Sequence, residues 1–170
     1  MKKDRKEGDL QEPNLMTAET LSRMQKDLEK AIDAEDKAHK AIGAAAGAEG
    51  EWHDNAAYDH AIMQHNVARS MLRDMREKLQ NYEIIKPRQE VDKVGIGNTV
   101  VVRFADEDAD EKFTILGPDD SLTREDWISF ETPVAKSILG KKKGETGEFK
   151  IGEERGQQVK VVKILPGEFE

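Results

Sequence analysis

Between positions 21 and 79 the apolar residues recur at steps of three and four, on both sides of a break made of small residues. Leu21, Met24, Leu28, Ala31 or Ile32, Ile42 and Ala45 form one narrow stripe, with charges such as Lys26, Asp27, Glu29 and Lys30 between them. This is the period of an amphipathic helix that buries one seam and leaves its other faces in water. Thr17 heads it as a side chain able to accept from the free amides of a first turn, with Thr20 a second candidate. Residues 43–50 are Gly- and Ala-rich, a composition that weakens a helix end and permits a reversal. A second stripe, Ala61, His65, Ala68, Leu72, Met75 and Leu79, runs through a helix expected over residues 54–82. Two matched helices with a short reversal predict an antiparallel coiled-coil hairpin. About 30 residues per helix make a rod of roughly 45 Å. The competing reading, two helices of an ordinary bundle, finds little other helix in the chain to complete it.

The composition changes at Lys86-Pro87. Ala, Glu, Lys, Met and Leu dominate before it; Val, Ile, Phe, Thr and most of the Gly follow. A residue preceding proline is biased away from helix, so Lys86 is a natural boundary. Beyond it, five segments read as strands: Thr99-Val100-Val101-Val102-Arg103-Phe104, then residues 112–116 after an acidic loop at 106–111, then residues 127–130, 147–151 and 158–164. The last alternates polar and apolar residues, as a half-buried strand does. Between the third and fourth, Thr132 as cap, Pro133 at the first helical position and Gly140 at the end punctuate a short helix. The chain is therefore expected to be α+β: a tail over residues 1–15, a coiled-coil hairpin over 16–84 and a small α+β domain over 85–170. The tail is read as mobile, its four positive and four negative charges cancelling.

Several functions are excluded early. With no cysteine there is no disulfide, thiolate zinc site or cysteine nucleophile, which suits a reducing cytoplasm. No apolar run approaches the roughly 20 residues of a membrane span. A net charge of −8 argues against nucleic-acid binding by bulk electrostatics, leaving local patches. Gly95-Ile96-Gly97 lacks the third glycine of a dinucleotide loop, and Gly140-Lys141-Lys142-Lys143-Gly144 lacks phosphate-loop spacing. His53, His60 and His65 do not share a helical face at the i, i+4 spacing of a metal pair, and His65 falls on the seam.

The reversal reads Glu49-Gly50-Glu51-Trp52-His53-Asp54-Asn55-Ala56-Ala57-Tyr58-Asp59. By itself this is a solvated tip in which Asp54 caps the second helix, although Trp52 is a large apolar residue for such a place. The tip resembles the signature of the Gre family of bacterial transcript-cleavage factors, Gly-Asp-Leu-Ser-Glu-Asn-Ala-Glu-Tyr, with identities at Gly50, Asn55, Ala56 and Tyr58. Residues 128–141, from Ile128-Ser129 through Thr132-Pro133 to Gly140-Lys141, resemble the family's Ile-Ser-x-x-Ser-Pro-x-x-x-Ala-Leu-x-Gly-Lys. Phe113-Thr114-Ile115-Leu116-Gly117-Pro118 resembles its strand and turn. The three motifs stand in family order across about residues 16–165.

The resemblance implies a fold and a function. The fold would be the hairpin followed by a small FKBP-like α+β domain. The function would be transcription elongation: the hairpin enters the secondary channel of RNA polymerase, the C-terminal domain docks at its rim, and cleavage of backtracked RNA rescues the stalled complex. The chain would not be an enzyme itself but would stimulate the polymerase's own activity. The catalytic acids would be Glu51 and Asp54, sharing a magnesium ion with the polymerase. Both charges are kept but the types are exchanged, Glu51 for an Asp and Asp54 for a Glu. A displacement of about 1 Å at a catalytic group can cost on the order of 100-fold in rate, so a channel-occupying regulator that does not cleave stays open beside the cleavage factor. Trp52, Asn55, Tyr58, Arg69, Arg73, Thr132 and Pro133 are the residues expected to contact RNA or polymerase. Arg69, Arg73 and Arg76 share one face of the second helix, and Lys26, Lys30 and Lys37 one face of the first. A merely solvated face is an equal reading, since residues 17–82 hold nine basic and twelve acidic side chains. The partners implied are bacterial RNA polymerase and the nascent RNA 3′ end, with no membrane, in the cytoplasm. A monomer is expected because the hairpin closes its own seam. A prolyl isomerase would need an aromatic pocket, and after residue 86 only Phe104, Phe113, Trp127, Phe130, Phe149 and Phe169 are aromatic.

Overall fold

The computed structural model describes residues 12–46, 56–107, 109–150, 152 and 156–169. Two compact units emerge: Leu21–Asn81, and the chain before it joined with the chain after it. Each is taken in turn.

The first unit is the helical hairpin of α1 (Ala18–Ala46) and α2 (Ala56–Gln80). On α1 the inward positions are Leu21, Met24, Leu28, Ala31, Glu35, Ala38, Ile42 and Ala45; on α2 they are Tyr58, Ala61, His65, Ala68, Leu72, Met75 and Leu79. Both series alternate steps of three and four and so repeat every seven residues, the period of a coiled-coil seam. The choice between Ala31 and Ile32 is thereby settled, for Ile32 is 42% exposed. Ile32 and Leu72 line the same groove while Glu35 meets His65, so rising numbers on α1 face falling numbers on α2 and the helices are antiparallel.

The second unit carries a five-stranded sheet of order β5-β4-β3-β7-β6. Its strands are β3 (Thr99–Phe104), β4 (Asp110–Leu116), β5 (Trp127–Ser129), β6 (Thr146–Phe149) and β7 (Gln157–Leu165). All neighbours are antiparallel except β4 and β5. The short helix α3 (Pro133–Ile138) covers one face and buries Ala135 and Ile138 against Val100, Val102, Val159 and Val161. The register of β3 on β7 slips between Val101 and Val102, where Val162 is the extra residue. That bulge resets the alternation, so the buried positions on β7 run Val159, Val161 and then Ile164.

The two remaining strands were not legible in the sequence. β1 (Asn14–Met16) pairs in parallel with β2 (Tyr82–Ile84), and Ile85 extends the ladder by donating its N–H to the Met16 carbonyl at 2.8 Å. Asn14 and Leu15, assigned to a tail, are therefore strand residues, and Tyr82, expected to end the second helix, is one as well. Three-residue strands are too short to show a period, whereas a helix of 25 residues is not. This clasp sits over a satellite core of Ile85, Leu116 and Trp127, flanked by Leu15, Ile96 and Phe169.

Candidate functional site

Four of the expected site residues, Glu51, Trp52, Asp54 and Asn55, lie outside the described residues. Tyr58 occupies the first turn of α2 at a seam position and is half-buried, so packing already accounts for its ring. Arg69, Arg73 and Arg76 are exposed and line one shallow groove with Ile32, Glu35, Asn66, Ser70, Leu72, Glu77 and Gln80. The cationic row is thus real but tempered. The Arg73 guanidinium lies 3.4 Å from Asp74 and 3.9 Å from Glu77. On α1, Lys30 is 2.9 Å from Asp27, and this hydrogen bond holds the Asp27 carboxyl below its ordinary range. Lys40 likewise pairs with Asp36, which raises the lysine. Exposed pairs like these contribute little stability.

One polar contact in the seam itself is unusual. His65 Nε2 stands 2.9 Å from a Glu35 carboxylate oxygen across the hairpin, and its ring centroid is 5.3 Å from that of His39. His65 is a seam residue, as its spacing indicated; its acidic partner at a heptad position was not foreseen. A hydrogen-bonded polar pair in an otherwise apolar seam fixes register, because a one-heptad slip would leave both groups without a partner.

Thr132 and Pro133 do what their order along the chain suggests. The Thr132 hydroxyl accepts from the Ala135 N–H at 3.3 Å and donates to the Ser129 carbonyl at 2.8 Å, while Pro133 takes the first helical position. Gly140, at φ 77°, ends the segment in a conformation that favours glycine. The Pro133 ring remains exposed.

The joint between β1 and the sheet domain went unpredicted. Asp120 is fully buried, and its carboxylate accepts from the Thr17 N–H at 3.0 Å, the Thr17 hydroxyl at 2.8 Å and the Gly117 N–H at 2.9 Å. Thr17 in turn caps α1, accepting from the Thr20 N–H at 3.2 Å. Neighbouring Asp119 accepts from Asn14 at 2.9 Å. The same joint explains Gly117, since a Cβ there would stand 1.7 Å from the Leu15 carbonyl oxygen. Pro118-Asp119-Asp120 reads in sequence as a solvated turn, and nothing local marks its second aspartate as buried.

Among the described residues no group of three or more His, Asp or Glu side chains is placed to hold a metal ion, and no helix is long and apolar enough to cross a membrane.

Comparison with known proteins gives a consistent result. A family profile described as "Transcription elongation factor, GreA/GreB, C-term" matches residues 88–166. Transcription elongation factor GreA of Mycoplasmoides gallisepticum is 33% identical over 156 residues, 89% of this chain and 96% of that protein. The GreA factor of Chloroflexus aggregans is 30% identical over 133 residues, 78% of this chain and 85% of its own. Among solved structures, GreA factor homolog 1 of Thermus thermophilus aligns over 89% of this chain and 98% of its own at 16% identity, with a TM-score of 0.41.

Proposed function

Because the chain belongs to the GreA/GreB family of transcription elongation factors, we propose that it works inside RNA polymerase, inserting its hairpin through the secondary channel and stimulating cleavage of backtracked RNA. The observation that carries this reading is the pair of carboxylates, Glu51 and Asp54, at the family's tip positions within a chain 33% identical over nearly its whole length to a GreA factor. Magnesium takes hard oxygen ligands and commonly keeps only one or two protein carboxylates at such a site, so this donor set suits an ion shared with the polymerase. When bound, that ion would stabilise charge on the attacking and leaving oxygens. The chain's own part is to bring the acids in on a rod, without building a pocket.

The rod's surface supports the same reading. Arg69, Arg73 and Arg76 offer cationic contacts suited to the phosphates of an extruded RNA end. Met63, Val67 and Met71 stand at i, i+4, i+8 on α2 and are 60%, 49% and 59% exposed. An exposed apolar row outside the seam suits a helix that works against a protein wall. Trp52, Asn55 and Tyr58 would meet the polymerase near its active centre, and the exposed Pro133 with Thr132 would do so at the rim, on a domain read as FKBP-like. In this role the factor is a cytoplasmic monomer and not an enzyme in its own right. The exchange of acid types at Glu51 and Asp54 favours one second reading, a relative that occupies the channel and slows synthesis without cleaving.

The test is RNA cleavage in a halted, backtracked elongation complex, with the wild-type chain and with Glu51→Ala and Asp54→Ala. Faster release of short 3′ fragments, abolished in both variants, supports the cleavage factor. Binding with slowed synthesis and no fragments selects the second reading, and no binding to polymerase removes both.

A further inference from the structure

The mouth of the sheet domain holds a cleft that none of the roles above uses. Its floor is apolar. Phe104 at the end of β3 and Phe149 at the end of β6 meet edge to face with centroids 6.1 Å apart, and Val134 of α3 closes the third side. Phe149 is buried, while Phe104 and Val134 stay half-exposed and present apolar surface to whatever enters. Its lip is acidic, formed by Asp106 and Glu107 of the β3–β4 turn and Glu111 at the start of β4. Burial, followed by the neighbouring Glu107, raises the Glu111 carboxyl above its ordinary range. A lip of neighbouring carboxylates favours a cation, because like charges close together do not both ionise cheaply.

The surroundings narrow the choice of cation. Arg103, on the same strand as Phe104, is engaged 2.6 Å from Asp110. Among the described residues, the lip is in no group of three or more His, Asp or Glu side chains placed to hold a metal ion. An apolar floor beside an acidic lip suits an organic cation with an apolar stem. The cleft volume, about 310 Å³, sits at the small end of ligand sites, which span roughly 300–1,000 Å³. It suits one long side chain better than a folded cofactor. An arginine or lysine satisfies both halves: its methylenes lie along aromatic rings, and its head donates charge-assisted hydrogen bonds to the carboxylates.

We propose that this cleft is a docking pocket for a basic side chain, flanked by apolar residues, on a protein partner, with its stem against Phe104 and Phe149 and its charge between Glu107 and Glu111. Naming RNA polymerase as that partner rests on the reading above; the pocket's chemistry does not.

The experiment uses the full chain, isotopically labelled, and a short peptide of alternating leucine and arginine, with the same peptide carrying glutamate for arginine as its control. Amide shifts confined to Phe104, Glu107, Glu111, Val134 and Phe149, caused by the arginine peptide alone, are expected. Glu107→Gln with Glu111→Gln should weaken that binding at least about tenfold, the change that losing one charge-assisted hydrogen bond produces. Shifts spread over the acidic surface, or an equal response to the glutamate peptide, would overturn the pocket. So would displacement of the peptide by magnesium or calcium chloride, which would make the lip an inorganic cation site. The double variant is then titrated against polymerase. Weakened binding supports polymerase as the partner, and unchanged binding refutes that assignment. A wild-type chain that ignores polymerase refutes the functional reading, while the peptide arm still decides the pocket.

Discussion

Replacing Asp120 with alanine should unfold the sheet domain far more readily than its place in a turn suggests. The carboxylate is fully buried and accepts three hydrogen bonds, two from Thr17 and one from Gly117. Hydrogen bonds to a charged group are each worth about 1.5–3 kcal/mol, and each buried donor left behind costs about 1–3 kcal/mol. These contributions overlap, since the same donors are counted twice. Some are regained if water enters, so the net cost is about 4 kcal/mol, in the range reserved for broken buried networks. With a urea slope of about 2 kcal/mol/M the midpoint falls by about 2 M. Asp120→Asn should cost roughly half as much, because the amide keeps one accepting oxygen but turns N–H groups toward other donors. The assay is urea unfolding followed by Trp127 fluorescence in a Trp52→Phe background, since Trp127 lies in the satellite core beneath β1. Thr17→Ala, alone and combined with Asp120→Ala, completes a cycle whose coupling should be about 1–2 kcal/mol. A midpoint shift under about 0.5 M for Asp120→Ala, or additive losses in the cycle, would refute the claim that this carboxylate pins the start of α1 to the domain.

Two further outcomes follow from the same unit. Gly117→Ala places a methyl group against the Leu15 carbonyl, so β1 should be displaced at a cost of about 3 kcal/mol, read as faster hydrogen exchange at the Ile85 amide that bonds Met16. Glu111 has its folded value raised, so its contribution is fully present below the unfolded value and is lost as pH rises through the folded one. Glu111→Gln should therefore be the more stable chain at neutral pH, with an advantage that shrinks as pH falls toward about 4; urea midpoints of the two chains would then converge in acid, and parallel curves would contradict the cause given for the shift.

The parts of this molecule that a reader of the sequence can find are those with a period or a punctuation mark. Leu28 and Leu72 stand in series long enough for a seven-residue repeat to show. The α3 helix is bracketed by Thr132, Pro133 and Gly140, each in the place its chemistry prefers. Val100, Val102, Val159 and Val161 alternate as inward residues of a half-buried sheet should. What stays hidden is set by contacts between distant positions. Asp120 is separated by 103 residues from the Thr17 that explains it, and β1 has only three residues to announce itself. Glu35 looks like one more surface acid until His65 lies opposite. The same division holds elsewhere: the Thr132–Pro133 cap and the shared face of Arg69, Arg73 and Arg76 follow from local pattern, while the Phe104, Phe149 and Glu111 cleft assembles from strands that adjoin only once the sheet forms.

The β1–β2 clasp also bears on how the chain is made. Met16 emerges from the ribosome long before its partner Ile84, and joining them closes a loop of more than sixty residues. For a flexible chain that closure costs about 3.7 kcal/mol from the logarithmic length term alone. The intervening residues are a helical hairpin with local seam contacts, and such contacts form early. Once α1 and α2 zip together, the two ends of the insert are already neighbours and most of that entropy has been lost beforehand. The hairpin thus acts as a splint for a domain whose sequence is interrupted, and a mutation that slows its zippering would leave Met16 and Leu116 exposed to solvent while synthesis continues.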